Sequence, residues 1–321
     1  MWHDMVWYAA GGAVLAAVLL DRLGDPPNRL HPTAWMGAMI AFLVPRRRTR
    51  GWGVSVVVSC CGLAAASALA LWWAAPAAWP GGAGLAVYWA ASVPLLKSTI
   101  SVRGMERHAM AVYSSIMDGD GRAAGRLACI VKRSTAGMNM PQICSGAIES
   151  TAENTVDGIT GPLLYAGAAG LPGALIYRTV NTADSMAGYR SAMFERVGWF
   201  GARCDTVLNW IPARATGYVM VMAAAMTGHD WRGAYHTMRR DAGRPESANS
   251  GYAMAAMAGA LGVRLEKPFH YTLGDGRDPG PEDIPAAVRI MKCTAWLFAG
   301  VAASVAAAVS VVAGVVYGGL F

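Results

Sequence analysis

The sequence predicts an all-α, polytopic integral membrane protein with four to five transmembrane helices, broken or re-entrant apolar segments and helical cytoplasmic regions. Three observations point there. Trp296–Phe321 and Trp52–Ala75 each run without a single charge, and either is long enough to cross a hydrocarbon core of about 30 Å. Only 15% of residues are charged against 55% hydrophobic, whereas soluble domains carry about 25% charged residues. Finally, Gly-Pro steps interrupt an apolar stretch at Gly161-Pro162 and at Gly170-Leu171-Pro172-Gly173. Irregular backbone of that kind is tolerated at membrane depth where it is buried or lines a cavity.

In chain order, residues 1–96 form an N-terminal membrane region. Met5–Leu20 is a short apolar segment without a basic leader or cleavage site, which favours a retained segment over a signal peptide. Asp21–Pro32 is a Pro-rich loop that cannot continue a helix. Thr33–Val44 is a short apolar helix, and Arg46, Arg47, Arg48 and Arg50 follow it. Because this cluster abuts the Trp52 span, the positive-inside rule places it in the cytoplasm, and a nucleic-acid stripe is the poorer reading. Pro76–Gly82 predicts a turn, from which Ala83–Leu96 returns as a transmembrane hairpin.

Residues 97–158 have soluble character and read as a cytoplasmic helical region. Leu127, Ile130 and Val131 mark an amphipathic helix within 121–135, and Ser134 and Thr135 suit a turn or an N-cap. Residues 159–227 read as a membrane-associated core. If its apolar stretch 159–177 crossed the bilayer, the motifs on either side would face opposite compartments; a re-entrant segment keeps them together. Residues 228–293 form a second polar region, and 294–321 a C-terminal span. There Ala302, Ala306, Ser310, Gly314 and Gly318 recur every fourth position, a stripe that lets helix backbones approach closely, within the chain or across a homodimer. The six cysteines form no CxxC pair and no zinc spacing, as expected of reduced thiols.

Three polar series surround the apolar core segment. Glu149, Glu153 and Asp157 stand at i, i+4 and i+8. Like charges so placed destabilise a helix unless solvated or neutralised, so the series is either a solvated acidic face or a site for a hard cation such as Mg²⁺. Asn181, Asp184, Ser185 and Gly188 share a second face between Arg178 and Arg190. Asp205, Asn209 and Arg214 form the third. Singly, each suits helix-packing hydrogen bonds; together they suggest one pocket. Phosphate-loop, HExxH and GxSxG motifs are absent. His31, His108, His229, His236 and His270 show no metal-ligand spacing.

At these residues the chain resembles the CobD/CbiB family, the membrane-bound adenosylcobinamide-phosphate synthases of cobalamin biosynthesis. The resemblance runs from about Leu20 to Gly274. It is carried by LGDPPNRLHP (23–32), ESTAENTVDG (149–158), YRTVNTADSMAGYR (177–190), Asp205 with Asn209 and IPAR (211–214), and GALGVRLEKP (259–268). This chain departs at Lys132-Arg133-Ser134-Thr135, at Ser247–Ala253 and at Thr206 after Asp205. The resemblance implies an ATP-dependent amide ligation of adenosylcobyric acid, a corrinoid, to (R)-1-aminopropan-2-ol phosphate or ethanolamine phosphate. It further implies a multi-pass protein of the cell membrane, with the site facing the cytoplasm. Glu149, Glu153, Asp157 and Asp184 would supply the Mg²⁺ site, with Glu153, Asp157 and Asp184 closest to the chemistry. Arg133, Arg190 and Arg214, with Lys132, would bind phosphates, and Asn154, Asn181, Asp205 and Asn209 would complete the pocket. A transporter with an intramembrane carboxylate site is the alternative, but the two halves show no hydropathy symmetry and the charged motifs flank the apolar segments.

Overall fold

The computed structural model describes the chain except for residues 1, 80–81, 132, 188–195 and 319–321, with backbone alone for 2–10 and 313–318. Thirteen helices account for nearly all of the described regular structure. Four helical stretches are long and apolar enough to cross a membrane: Arg50–Ala78, Gly82–Asp118, Met140–Met186 and Asp283–Val312. The protein is therefore an all-α polytopic membrane protein. Contacts divide it into two compact units, one of Met1–Ser101, Gly161–Leu208 and Ala299–Phe321, the other of Val102–Thr160 and Asn209–Phe298.

The first unit opens with α1 (Trp2–Asp21) and α2 (Pro32–Leu43), followed by α3 (Arg50–Ala78) and α4 (Gly82–Lys97). Thr49 caps α3 by accepting from the Trp52 amide, which satisfies one of the orphan donors of the first turn. Helix α3 passes through Pro76 and stops at Ala78, so the expected turn begins later than Pro76; its Pro80 and Gly81 lie outside the described residues. Ile40, Val44, Val180, Ala183 and Val197 form a core with Val56, Val57 and Cys60 of α3.

The second unit starts with α5 (Val102–Asp118), α6 (Ala123–Ala128) and α7 (Met140–Thr155). One expectation is corrected here and another is resolved. The amphipathic helix expected within 121–135 ends at Ala128, because the Ile130 carbonyl accepts the Ser150 hydroxyl at 2.8 Å and the chain turns toward α7. Of the two readings for Ser134 and Thr135 the turn holds, with the Met138 amide donating to the Thr135 carbonyl at 3.4 Å, and the cap of the next helix is Asn139. Asn139 and Gln142 form a capping box, with Pro in the first turn, where its missing N–H and fixed φ are no handicap.

Helix α7 passes into a π-helical turn, Val156–Thr160, which ends the second unit's first segment. The first unit resumes with α8 (Gly161–Ala187), broken at Ala169 and at Gly170, where φ is +63°. A left-handed backbone there suits glycine alone without strain. Beyond the break the chain folds back. A straight helix would separate Gly161 from Tyr177 by roughly 24 Å, yet a methyl on Gly161 would strike the Tyr177 hydroxyl. Tyr165 and Tyr177 also stack with ring centroids 5.2 Å apart. Thus the apolar segment is broken and re-entrant in form, and residues after Tyr177 return to the level of Gly161. Helix α9 (Trp199–Leu208) packs on α3 and α8.

The second unit continues with α10 (Trp210–Met226), α11 (Trp231–Asp241) and α12 (Ser250–Leu261). Residues 228–293, expected to be polar, enclose an apolar element: Gly251 and Ala253–Ala260 of α12 are all buried. Its Ala, Gly and Met side chains leave room for close backbone approach, and Gly259 lies directly on the Gly233 carbonyl. A hairpin of β1 (Leu265–Lys267) and β2 (Tyr271–Leu273) pairs Leu265 with Leu273 antiparallel. Helix α13 (Asp283–Gly318) begins well before the uncharged run at Trp296.

On α13, Ala302, Ala306 and Ser310 are buried. Gly11 of α1 sits against Ala303, and Gly167 of α8 against the Ala302 carbonyl. The small-residue stripe therefore packs within the chain; Gly314 and Gly318 lie outside the residues whose side chains are described. Gly167→Leu should force α8 from α13 and lower stability in detergent by about 1–3 kcal/mol. Gly62→Leu, where nothing among the described residues lies within 4 Å, should leave the unfolding midpoint unchanged. Equal midpoints for both variants would refute the packing.

Candidate active site

In the second unit, the ESTAENTVDG segment divides its carboxylates between two environments. Glu149 is only 6% exposed. Its carboxylate accepts from Ser145 Oγ at 2.6 Å, Tyr271 Oη at 3.0 Å and Arg133 Nη2 at 3.4 Å. Ser145 Oγ in turn accepts from the Glu266 amide at 2.8 Å, tying α7 to β1. Burial first, and then the Glu149 carboxylate, push the Tyr271 hydroxyl well above its ordinary range, so it stays a neutral donor. The three carboxylates at this spacing thus differ in burial. Glu149 is turned into a hydrogen-bonded interior, Glu153 one turn on is exposed, and Asp157 is half-buried on the π-turn. Turns of that type replace i→i−4 bonding and recur at functional sites.

Arg133 is the basic residue facing this network. Its Nη1 lies 3.4 Å from Glu149 Oε2, while among the described residues Nε and Nη1 are buried without a hydrogen-bond partner. Buried guanidinium donors that remain unspent call for an acceptor. Asn154 Nδ2 donates to the Ser150 carbonyl at 2.9 Å. Further along, Arg214 of α10 lies over Trp210 at 4.1 Å and Tyr252 at 4.6 Å, and it donates to Asn249 Oδ1 at 3.4 Å. Two aromatic faces and one carboxamide fix a half-buried cation. Ser247 of the departing 247–253 motif accepts from the Asn249 and Ser250 amides at 3.3 Å. Asn209 is buried at the N-terminal end of α10.

Also in this unit, Asp241 is fully buried and accepts from Arg240, Arg244 and the Gly274 amide at 2.8–3.0 Å. Burial works to raise its carboxyl, but Arg240, the Gly274 amide and Arg244 outweigh it and hold the carboxyl below its ordinary 3.8. A carboxyl depressed in the folded state stabilises fully above its unfolded value, and that contribution is lost as pH falls through the folded one. Acid unfolding below about pH 4 should therefore be shallower in Asp241→Asn than in the wild type. Coincident acid limbs would show that Asp241 does not set them.

The first unit carries the remaining polar residues. On α8, Asn181 is buried; it donates to Asp205 Oδ1 of α9 at 3.2 Å and accepts from Arg178 Nη1 at 3.4 Å. Asp184 lies three residues on, half-buried. Lys132 and Arg190, with Gly188, lie outside the described residues. The same unit holds a cluster that the sequence did not single out. Lys97, 4% exposed, closes α4 with Asp21 at 3.5 Å and Asp25 hydrogen-bonded to its ammonium. His31 Nε2 stands 3.5 Å from the same Asp25 oxygen. Burial works to raise Asp25, but the Lys97 hydrogen bond and charge, then His31, hold it below the ordinary range. The available signal was a lone lysine ending an otherwise uncharged apolar helix, which reads more readily as snorkelling.

Among the described residues, no three of His, Cys, Asp and Glu gather to form a metal cage. Mg²⁺ does not require one, since it is held through one or two carboxylates and shared with substrate phosphates. An exposed Glu153 and a half-buried Asp157, in one unit with Arg133 and Arg214, suit that shared mode. Fold and residues together define a polytopic helical membrane protein with carboxylates and fixed arginines beside its membrane helices.

A family profile described as CobD/Cbib protein matches residues 14–291. The chain is 40% identical over 294 residues to the probable cobalamin biosynthesis protein CobD of Methanothermobacter thermautotrophicus, covering 91% of this chain and 96% of that protein. It is 38% identical to the cobalamin biosynthesis protein CobD of Geobacter metallireducens (89% and 90% covered) and 38% identical to that of Mycobacterium tuberculosis (88% and 91%). No solved structure matches it. The chain belongs to the CobD/CbiB family.

Proposed function

We propose that this protein acts in cobalamin biosynthesis as an ATP-dependent acid–amine ligase. It would join a carboxylate of adenosylcobyric acid to the amine of (R)-1-aminopropan-2-ol phosphate or ethanolamine phosphate, giving adenosylcobinamide phosphate or its analogue. The observation that carries the reading is Arg133: a guanidinium with buried, unspent donors in the same unit as Glu153, Asp157 and the aromatic-clamped Arg214. Family membership and the names of the relatives support the same reading. The site would face the cytoplasm at the cell membrane, where ATP is available.

A carboxylate is a poor acyl donor. In the reaction we propose, a substrate carboxylate oxygen attacks the γ-phosphorus of ATP, and the bond to ADP breaks. The amine nitrogen then attacks the acyl carbon, the C–O bond to phosphate breaks, and inorganic phosphate and a proton leave. Mg²⁺ would be held by Glu153 and Asp157 and would neutralise phosphate oxygens; Asp184, which belongs to the first unit, remains a carboxylate candidate that the family resemblance assigns. Arg133 and Arg214 would meet phosphate oxygens, which match the planar guanidinium fork. Glu149 would act behind them, holding Arg133 in place through its own bonds to Ser145 and Tyr271. Asn154, Asn181, Asp205 and Asn209 remain candidates for substrate hydrogen bonds, and Lys132 and Arg190 for phosphate.

Purified protein supplied with ATP, Mg²⁺, adenosylcobyric acid and each amine should yield a conjugate, with one ADP per amide formed. Absence of any ATP-dependent conjugate with either amine would overturn the ligase reading.

A further inference from the structure

The arginines at the junction of α2 and α3 take no part in the proposed chemistry, yet they are held in a defined way. Arg46, Arg47, Arg48 and Arg50 are all exposed. Three of their guanidinium groups lie over aromatic rings: Arg46 over Phe42 at 3.9 Å, Arg47 over Trp52 at 5.4 Å and Arg50 over Trp199 at 5.2 Å. Arg46 also donates through Nε to the Phe42 carbonyl. No acidic residue occurs between Asp25 and Glu106, and among the described residues none of the four arginines forms an ion pair. Glu195 lies outside those residues.

The position of the patch identifies its partner. It lies at the N-terminal foot of α3, a 29-residue helix of mean hydropathy 2.2 with only 28% of its apolar window buried in the protein. A helix that apolar and that uncovered faces acyl chains, so its foot lies at the depth of the lipid headgroups. Phe42 is 64% exposed and Trp199 40%, and these form apolar surface next to the guanidinium groups, where interfacial aromatics belong. A free phosphate would use the charge alone. A phospholipid would use both the cations and the rings.

We infer that the Arg46–Arg50 segment, with Phe42, Trp52 and Trp199, is a binding site for the headgroup of an anionic phospholipid. Guanidinium groups held on rings give the headgroup phosphates a fixed set of donors, so recognition exceeds the diffuse attraction of a polybasic segment.

The test is native mass spectrometry of the purified full-length protein with phosphatidylglycerol and phosphatidylcholine in equal amounts. Wild type should retain phosphatidylglycerol about tenfold better, and neutralising the segment (R46Q/R47Q/R48Q/R50Q) should abolish that preference. Because neutralisation can also disturb insertion, R46K/R47K/R50K provides the second arm, with charge and orientation kept but ring-held forks lost. Its preference should fall about threefold or more. An excess of inorganic phosphate should leave lipid retention unchanged. Equal retention of the two lipids by wild type, an undiminished preference in the lysine variant, or displacement by phosphate would each overturn the inference.

Discussion

Asp157→Asn should lower the ligation rate by about 10²- to 10³-fold, the usual effect of removing one charged group from a transition-state site, with insertion and unfolding midpoint unchanged. The substitution keeps shape and removes charge, so it separates a metal ligand from a packing residue. Asp157 sits on the π-turn Val156–Thr160 and is half-buried, and Glu153 is exposed one turn earlier on α7. If the pair shares Mg²⁺ with ATP, raised Mg²⁺ should partly restore Glu153→Gln or Asp157→Asn, whichever residue contributes less. The double variant should be little worse than the poorer single one, because groups acting as a unit are non-additive. Wild-type rate and wild-type Mg²⁺ dependence in both single variants would make this face structural. The carboxylates of Asp205 and Asp25 would then be the next candidates.

Lys97→Met should destabilise the protein by about 3–5 kcal/mol, the range expected when one partner of a buried charge pair is removed. Asp21 and Lys97 are 1% and 4% exposed, so neither can recover its hydration once the other is gone. The methionine matches the lysine stem, and the loss is therefore electrostatic more than steric. Adding Asp21→Asn to Lys97→Met should recover part of the loss, since one uncompensated carboxylate then disappears. Unfolding in detergent reads both effects. An unchanged midpoint in Lys97→Met would show that the cluster carries no net stabilisation.

The sequence by itself determined the features that depend on near neighbours in the chain. Uncharged runs at Trp52–Ala75 and Trp296–Phe321 establish a membrane protein, because every side chain of such a run can face hydrocarbon. The break at Gly170 was legible for a similar reason: a left-handed residue between two apolar segments needs glycine, and Pro172 cannot sit mid-helix without loss of a hydrogen bond. Residue types suited to phosphate and Mg²⁺ were visible in the motifs, and the family is recognisable from them.

Only the tertiary structure decided which of those residues are spent. Glu149, Glu153 and Asp157 look equivalent at a spacing of four. Yet Glu149 is buried by Ser145 beneath it and by Tyr271, 122 residues downstream on a strand too short to be read from periodicity. Asp157 is carried on the π-helical turn that begins at Val156. Lys97 meets Asp25 across 72 residues, and Asn181 meets Asp205 across 24. Burial and pairing of charges depend on which distant elements arrive beside them, and this is settled by packing once the apolar faces have been matched. Sequence spacing can place a carboxylate on a helix, but the dielectric and the donors around it come from the rest of the fold.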